Sequence, residues 1–275
     1  MGEERIISNL QRERILSALK EGKRLDLRGL EEFREIKVED GISKNAESAV
    51  SVKIGKTEVY CAVKCALTTP YPDSPKQGNF MVSAELHPMA DNYFTSGRPG
   101  IDAIELSRVT DRGIRESGFI DFEGLCIKEG EKVWQVFVDV LVINYDGNLF
   151  DAASLGALIA LGRAKLPVYN EEEDKLEHKL SENPIPLHKE ALSFNMTIYK
   201  VGDSFIVDPS LEEEHISNAR LSVTFSDNDG KVRISALQKG RPGTFSSEDM
   251  EKILAIVESK FIDLFPKVKS LVWNE

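Results

Sequence analysis

Several things are scarce in this chain, and each scarcity removes a class of function. Its 275 residues contain three cysteines and four histidines. The cysteine number is odd, Cys61 and Cys65 share one apolar run, and Cys126 stands apart, so no disulfide framework is indicated. No Cys/His spacing fits a zinc site either, which leaves buried free thiols in a reducing cytosol as the expectation. No apolar run approaches the ~18 residues of a membrane span, and the N-terminal MGEERIISNLQRER lacks a basic stretch followed by an apolar one. A soluble, cytoplasmic protein without membrane contact is expected. Basic charge is short as well: the formal net charge is -11. A general nucleic-acid coat is thereby excluded, and any contact with a polyanion must be a local patch or be shared with a more basic partner.

The familiar cofactor motifs are missing too. There is no P-loop, no GxGxxG after a strand, no GxSxG and no HExxH, so no cofactor or metal is expected. The acid run Glu212-Glu213-Glu214-His215 reads as a solvated helix start, because consecutive acids point in different directions. His87, His178, His188 and His215 have no evident nucleophile partner. No catalytic residue is therefore assigned.

What is present is periodicity. Ile6, Ile7, Leu10, Ile15, Leu16 and Leu19 among charged residues predict an amphipathic helix over 4–21. Residues 48–67 alternate about Gly55-Lys56, which predicts two strands and a tight turn, and 79–89 predict a third strand. A long strand is predicted over 132–145, with Trp134, Val136, Val138, Val140 and Val142 on one side and Val133, Phe137, Leu141 and Ile143 on the other. A strand apolar on both faces is expected to be covered on both. Residues 152–167 mix small and large apolar side chains, as a core helix does, and the polar stretch 170–189 reads as a surface excursion between halves. Strand pairs follow, one turning at Val201-Gly202-Asp203 and one at 227–230. Residues 246–265 close as a helix capped by Ser246 or Ser247, with Ile253, Leu254, Ile256, Val257 and Phe261 as its apolar stripe. Strands then helices, twice over, without a tether, indicate an α+β fold: a single domain of two related sheet-and-helix halves, about 23–167 and about 190–265, around a shared core.

The stretch IDAIELSRVTDRGIRES carries the sharpest functional signal. Arg108, Arg112 and Arg115 recur at spacings of four and three, which on a helix places them within an arc of roughly 60°. Like charges four apart repel by a few tenths of a kcal/mol, so the Arg108/Arg112 pair needs an anion nearby. Glu105, three before Arg108, and Asp111, four before Arg115, can supply one from within the chain, and a phosphate backbone can supply one from outside. An ion-paired face is the simpler reading of this stretch alone. Arg98, in the approach to the helix, is a further basic group beside it.

Six segments in order, RLDLRGLEEFREI, AESAVSVKIGKTEVYCAV, PDSPKQGNFMVSAELHPMA, IELSRVTDRGIRES, VWQVFVDVLVINYDGNLFDAASLGALIAL and FIVDPSLEEEHISNARLSV, resemble the RNase PH superfamily of 3′-to-5′ phosphorolytic exoribonucleases. Within it, they resemble the non-catalytic ring subunit of the archaeal exosome. The resemblance runs from about 23 to about 265 and implies an RNase PH-like (ribosomal protein S5 domain 2-like) fold. Active members carry an Asp-Gly-Gly-Thr-Arg-Thr-like, phosphate-binding stretch after the long central strand; here the match is Asp146-Gly147-Asn148-Leu149-Phe150-Asp151, with neither arginine nor hydroxyl. Active members also follow a Glu-Glu-Asp segment with a catalytic aspartate. Here Glu213-Glu214-His215 lead to Ala219-Arg220-Leu221-Ser222, with no acid at the later position. Phosphorolysis needs an anion pocket and a group to manage a proton, so the departures imply a subunit without catalysis.

The same resemblance implies that Arg108 and Arg112 grip the RNA 3′ region where this subunit meets its catalytic neighbour, with less support for Arg115 and Arg98. The implied partners are an active RNase PH-like paralogue alternating with this chain in a hexameric ring of three heterodimers, RNA-binding cap proteins, and single-stranded RNA. Two other readings stay open on the sequence: an active phosphorolytic nuclease using residues outside these motifs, and a sheet-rich assembly module whose arginines serve only internal ion pairs.

Overall fold

Alternating apolar residues build the first sheet around one long strand. In the computed structural model, which describes residues 7–228 and 231–274, this sheet comprises β1 (Ile36–Asp40), β2 (Ser48–Ile54), β3 (Thr57–Thr68), β4 (Asn79–Leu86), β5 (Cys126–Lys128) and β6 (Lys132–Asn144). The order is β1-β2-β3-β6-β4, with β5 paired to β6. Gly55-Lys56 joins β2 to β3 with Ile54 opposite Thr57, and Gly55 takes a φ of +60° that a tight hairpin requires and a side chain would resist. β4 runs parallel to β6. A parallel neighbour needs a crossover, and the crossover carries α2 (Ile101–Ser117).

Helix α3 (Leu149–Arg163) is the centre of the molecule. All residues from 149 to 161 are buried. Its small residues permit close approach: a Cβ on Gly156 would lie 2.5 Å from Cys61 Sγ on β3. Cys61 and Cys65 are both buried beneath it, and burial pushes the Cys65 thiol up to about 12 and that of Cys61 higher still. Such thiols are inert structural residues.

The hairpin β7 (Lys165–Asn170) and β8 (Lys175–Pro184) leads to a second sheet of β9 (Ser193–Val201), β10 (Ser204–Val207), β11 (Ala219–Asn228) and β12 (Lys231–Gly240), in the order β10-β9-β11-β12. α3 touches β2 and β3 on one side and β9 on the other, so a single hydrophobic core spans both halves. α1 (Asn9–Lys20) starts behind Ser8, whose hydroxyl accepts from Gln11 N, and lays Ile15 and Leu19 on Tyr199, Val201 and Ile206. The short α4 (Leu211–Ile216) joins β10 to β11. α5 (Ser247–Trp273) opens with a reciprocal cap between Ser246 and Asp249 and buries Ile253, Val257 and Phe261.

The structure corrects some expectations. β6 is open on one side: Phe137, Leu141 and Ile143 are half-buried and Asp139 is exposed, because α2 and α3 both pack on the other face. The polar run 170–189 lies at the surface between the halves as expected, but it is not irregular: most of it forms the β7–β8 hairpin, where Leu176 packs against the core and Ser181 donates to the Leu166 carbonyl. α5 runs past 265 and through Pro266, burying Val268 and Val272. That burial offsets the backbone bond that Pro266 cannot donate. Residues 4–6 of the expected first helix, and residues 229 and 230 of the turn expected at 227–230, lie outside the described residues.

Candidate nucleic-acid interface

The sequence of α2 fixes which of its sides faces out. Ala103, Leu106, Val109, Thr110, Gly113 and Ile114 are buried, and Gly118, at a φ of +77°, terminates the helix with its N–H on the Arg115 carbonyl. Gly113 brings the helix onto β11, where a Cβ would meet Thr224 Oγ1 at 2.9 Å. Arg108 and Arg112 are therefore turned outward. Both are exposed and line a groove of about 480 Å³ between α2 and strands β11 and β12, with Asn195, Ser222 and Thr224 at its base and Leu237 and Gln238 along one wall.

The three arginines are not equivalent. Arg115 donates to both Asp111 oxygens, at 3.0 and 2.9 Å, and to the Phe80 carbonyl at 2.7 Å, and it lies over the rings of Phe80 and Phe122. Among the described residues, Arg108 and Arg112 have no hydrogen-bond or ion-pair partner. The carboxylate expected to serve Arg108 is engaged elsewhere: Glu105 accepts from Arg220 Nη2 on β11. Arg98 is exposed ahead of α2 and does not line the groove.

Arg220 also occupies the region where the sequence reading looked for catalytic groups. Its guanidinium lies 3.9 Å from the centre of the Phe150 ring, at the start of α3. Across the strand pair stands Gly240, where any Cβ would collide with the Arg220 guanidinium. The N-terminus of α3 is occupied as well, since the Asn148 N–H donates to Glu214 Oε2 at 2.8 Å. A helix N-terminus attracts anions; here an internal carboxylate meets it.

The acid run at 212–215 starts a helix as expected, yet Glu213 and Glu214 are buried rather than solvated. Their charges are compensated from far along the chain. Arg24, fully buried, holds both oxygens of Glu213 and the carbonyls of Val207 and Asp208. Arg28 and Arg34 hold the carboxylate of Asp208. Burial raises the Asp208 pKa, but the hydrogen bonds and charge of Arg34 hold it below the usual carboxylate range. Asp151 is different: burial pushes it up to about 7 against hydrogen bonds from Thr197 and Asn148. Asn195 links it to the groove, donating to Asp151 at 2.8 Å and accepting from Thr224 at 3.3 Å. Local sequence gave no signal for these long-range pairings. No cluster fit to hold a metal ion occurs among the described residues, nor is any of their helices long and apolar enough to cross a membrane.

Two sheets around a central helix, with a basic groove beside a cleft lined by Arg220 and Phe150, define the RNase PH class of fold. The chain belongs to the 3′ exoribonuclease family: residues 32–167 match its domain 1 and residues 195–257 its domain 2. It is 42% identical over 265 residues to the exosome complex component Rrp42 of Methanopyrus kandleri, covering 96% of this chain and 98% of that one. Against Rrp42 of Thermococcus onnurineus the identity is 38% with both chains fully covered. Among solved structures, a chain of the Archaeoglobus fulgidus exosome with RNA bound to the active site superposes with a TM-score of 0.81 at 37% identity, covering 92% of this chain and 98% of that one. A chain of an archaeal exosome core gives 0.80 at 34%, covering 97% of each.

Proposed function

We propose that this chain is a non-catalytic subunit of an exosome core ring, and that Arg108 and Arg112 hold the backbone of single-stranded RNA while an active RNase PH-like paralogue degrades it from the 3′ end. The observation that carries this reading is a contrast within α2. Arg115 is tied to Asp111 and the Phe80 carbonyl, whereas Arg108 and Arg112 face a groove without any partner among the described residues. Guanidinium forks bind phosphate oxygens through charge-assisted bonds roughly twice as strong as neutral ones. Ser222, Thr224 and Gln238 line the same groove with polar side chains that are bonded within the chain, which leaves the two guanidinium groups as its free donors. Elsewhere the net charge of -11 repels RNA, which confines the contact to this ridge.

The absence of catalysis in this reading has a chemical reason. The segment matching the phosphate-binding stretch presents Phe150, and the segment matching the catalytic acid presents Arg220; the two side chains stack on each other. Neither can receive a phosphate together with a proton.

Assembly is supported by two open apolar surfaces. Ile101, Ile104 and Leu237, exposed by 73%, 46% and 42%, border the groove, and Met81 joins Phe137, Leu141 and Ile143 on the outer face of the first sheet. A subunit in a closed ring needs a face for each neighbour, in keeping with alternation with the paralogue in three heterodimers. RNA-binding cap proteins complete this assembly in the cytoplasm.

Co-expression with the paralogue and mass measurement of the product test the pairing. A stable complex of three copies of each is expected, and recovery of this chain as a monomer alone would contradict it. The isolated chain, given RNA and inorganic phosphate, is expected to release no nucleoside diphosphate. Robust release would favour the alternative of an active nuclease.

A further inference from the structure

We infer that Arg220 is a positioning residue for RNA binding: by holding the Glu105 carboxylate at the edge of the groove, it keeps Arg108 and Arg112 free for phosphate. The inference rests on the proposed RNA contact and adds to it a residue that never touches RNA. Glu105 lies one turn before Arg108, a spacing at which Glu and Arg pair on a helix, and it borders both the arginine groove and the adjoining cleft that holds Arg220. Its carboxylate nevertheless goes to Arg220.

Arg220 is held so that it can do little else. Its side chain is 7% exposed, it stacks on Phe150 at 3.9 Å, and Gly240 opposite leaves it the space that a Cβ would take. An arginine so enclosed does not reach out to RNA. Its effect is on its neighbour: without it, the Glu105 carboxylate turns to Arg108, neutralises one phosphate ligand and repels the incoming backbone. A charge in the segment that matches the catalytic acid of active members thus holds the Glu105 carboxylate away from Arg108.

The test uses the complex co-expressed with the paralogue, a labelled single-stranded RNA and titrations over a range of salt. R220M keeps side-chain volume against Phe150 and frees Glu105; affinity is expected to fall by up to about ten-fold, the loss of one phosphate contact, with about 0.7 less in the slope of the salt dependence. R220K, which keeps the charge, is expected to retain most of the binding. The double variant E105Q/R220M is the decisive one, since it removes the released acid; binding is expected to return to within about two-fold of the parent. A loss that E105Q fails to rescue would make Arg220 a merely structural residue and overturn the inference, as would an R220M variant that binds RNA normally. R108A/R112A runs in parallel. If it weakens binding and R220M does not, only this inference fails; if it has no effect, the RNA contact itself fails.

Discussion

Replacing Arg108 and Arg112 together by alanine separates the readings of this chain most sharply, because fold and binding should respond differently. Among the described residues neither side chain is in a hydrogen bond or ion pair, and both are exposed. Alanine favours a helix at least as well as arginine, and the change removes a like-charge pair worth a few tenths of a kcal/mol. The unfolding free energy should therefore change by less than about 0.5 kcal/mol. RNA binding should not be spared. A hydrogen bond to a charged group contributes roughly 1.5–3 kcal/mol, and the lower end applies to exposed arginines, so each loss costs about ten-fold in affinity and the pair about a hundred-fold. The salt dependence carries a second signature: each lost contact to a single strand lowers the slope of log K against log salt by about 0.7, hence about 1.4 for the pair. Fluorescence anisotropy with a labelled oligonucleotide on the assembled complex reads both quantities. An unchanged slope with normal affinity, or a loss that tracks a fall in stability, would refute the reasoning and favour an assembly module without RNA contact.

Further outcomes follow from the buried charges. R24A leaves Glu213 buried without its countercharge and strips the Val207 and Asp208 carbonyls of a donor; a loss of about 3–5 kcal/mol in urea unfolding is expected, and a loss below about 1 kcal/mol would show that the pair is dispensable. Asp151 should make stability depend on pH. Its folded pKa is raised by burial to about 7 from an ordinary 3.8, so the folded state binds the extra proton in that window and this residue's contribution improves as pH falls from about 7 towards 4. Between pH 8 and pH 5 the parent should gain about 2–3 kcal/mol that D151N does not; parallel pH profiles would contradict this.

How much of this was legible beforehand depended on the range of the forces involved. Periodicity is local, so the buried α3, the long β6 and the outward placing of Arg108 and Arg112 on α2 could all be read from short windows. Charge compensation is not local. Glu105 finds Arg220 across 115 positions and Glu213 finds Arg24 across 189, so the acid run looked solvated and Arg108 looked served by Glu105. The two-faced apolarity of β6 also said less than it seemed to. It marks surface that favours burial without saying whether cover comes from the same chain, and here Phe137, Leu141 and Ile143 remain half-open. The closing helix was expected to stop at 265, because the burial of Val272 against Gly162, which carries it on through Pro266, is a long-range contact.

The contact between RNA and α2 can be read most directly by photocrosslinking. A single-stranded RNA carrying 4-thiouridine near its 3′ end, irradiated in the assembled complex and followed by peptide mapping, should leave adducts on α2 and on the facing strand β12. Those adducts should disappear in R108A/R112A. Efficient crosslinking of the same RNA to other surfaces, with α2 and β12 unmodified, would contradict the account.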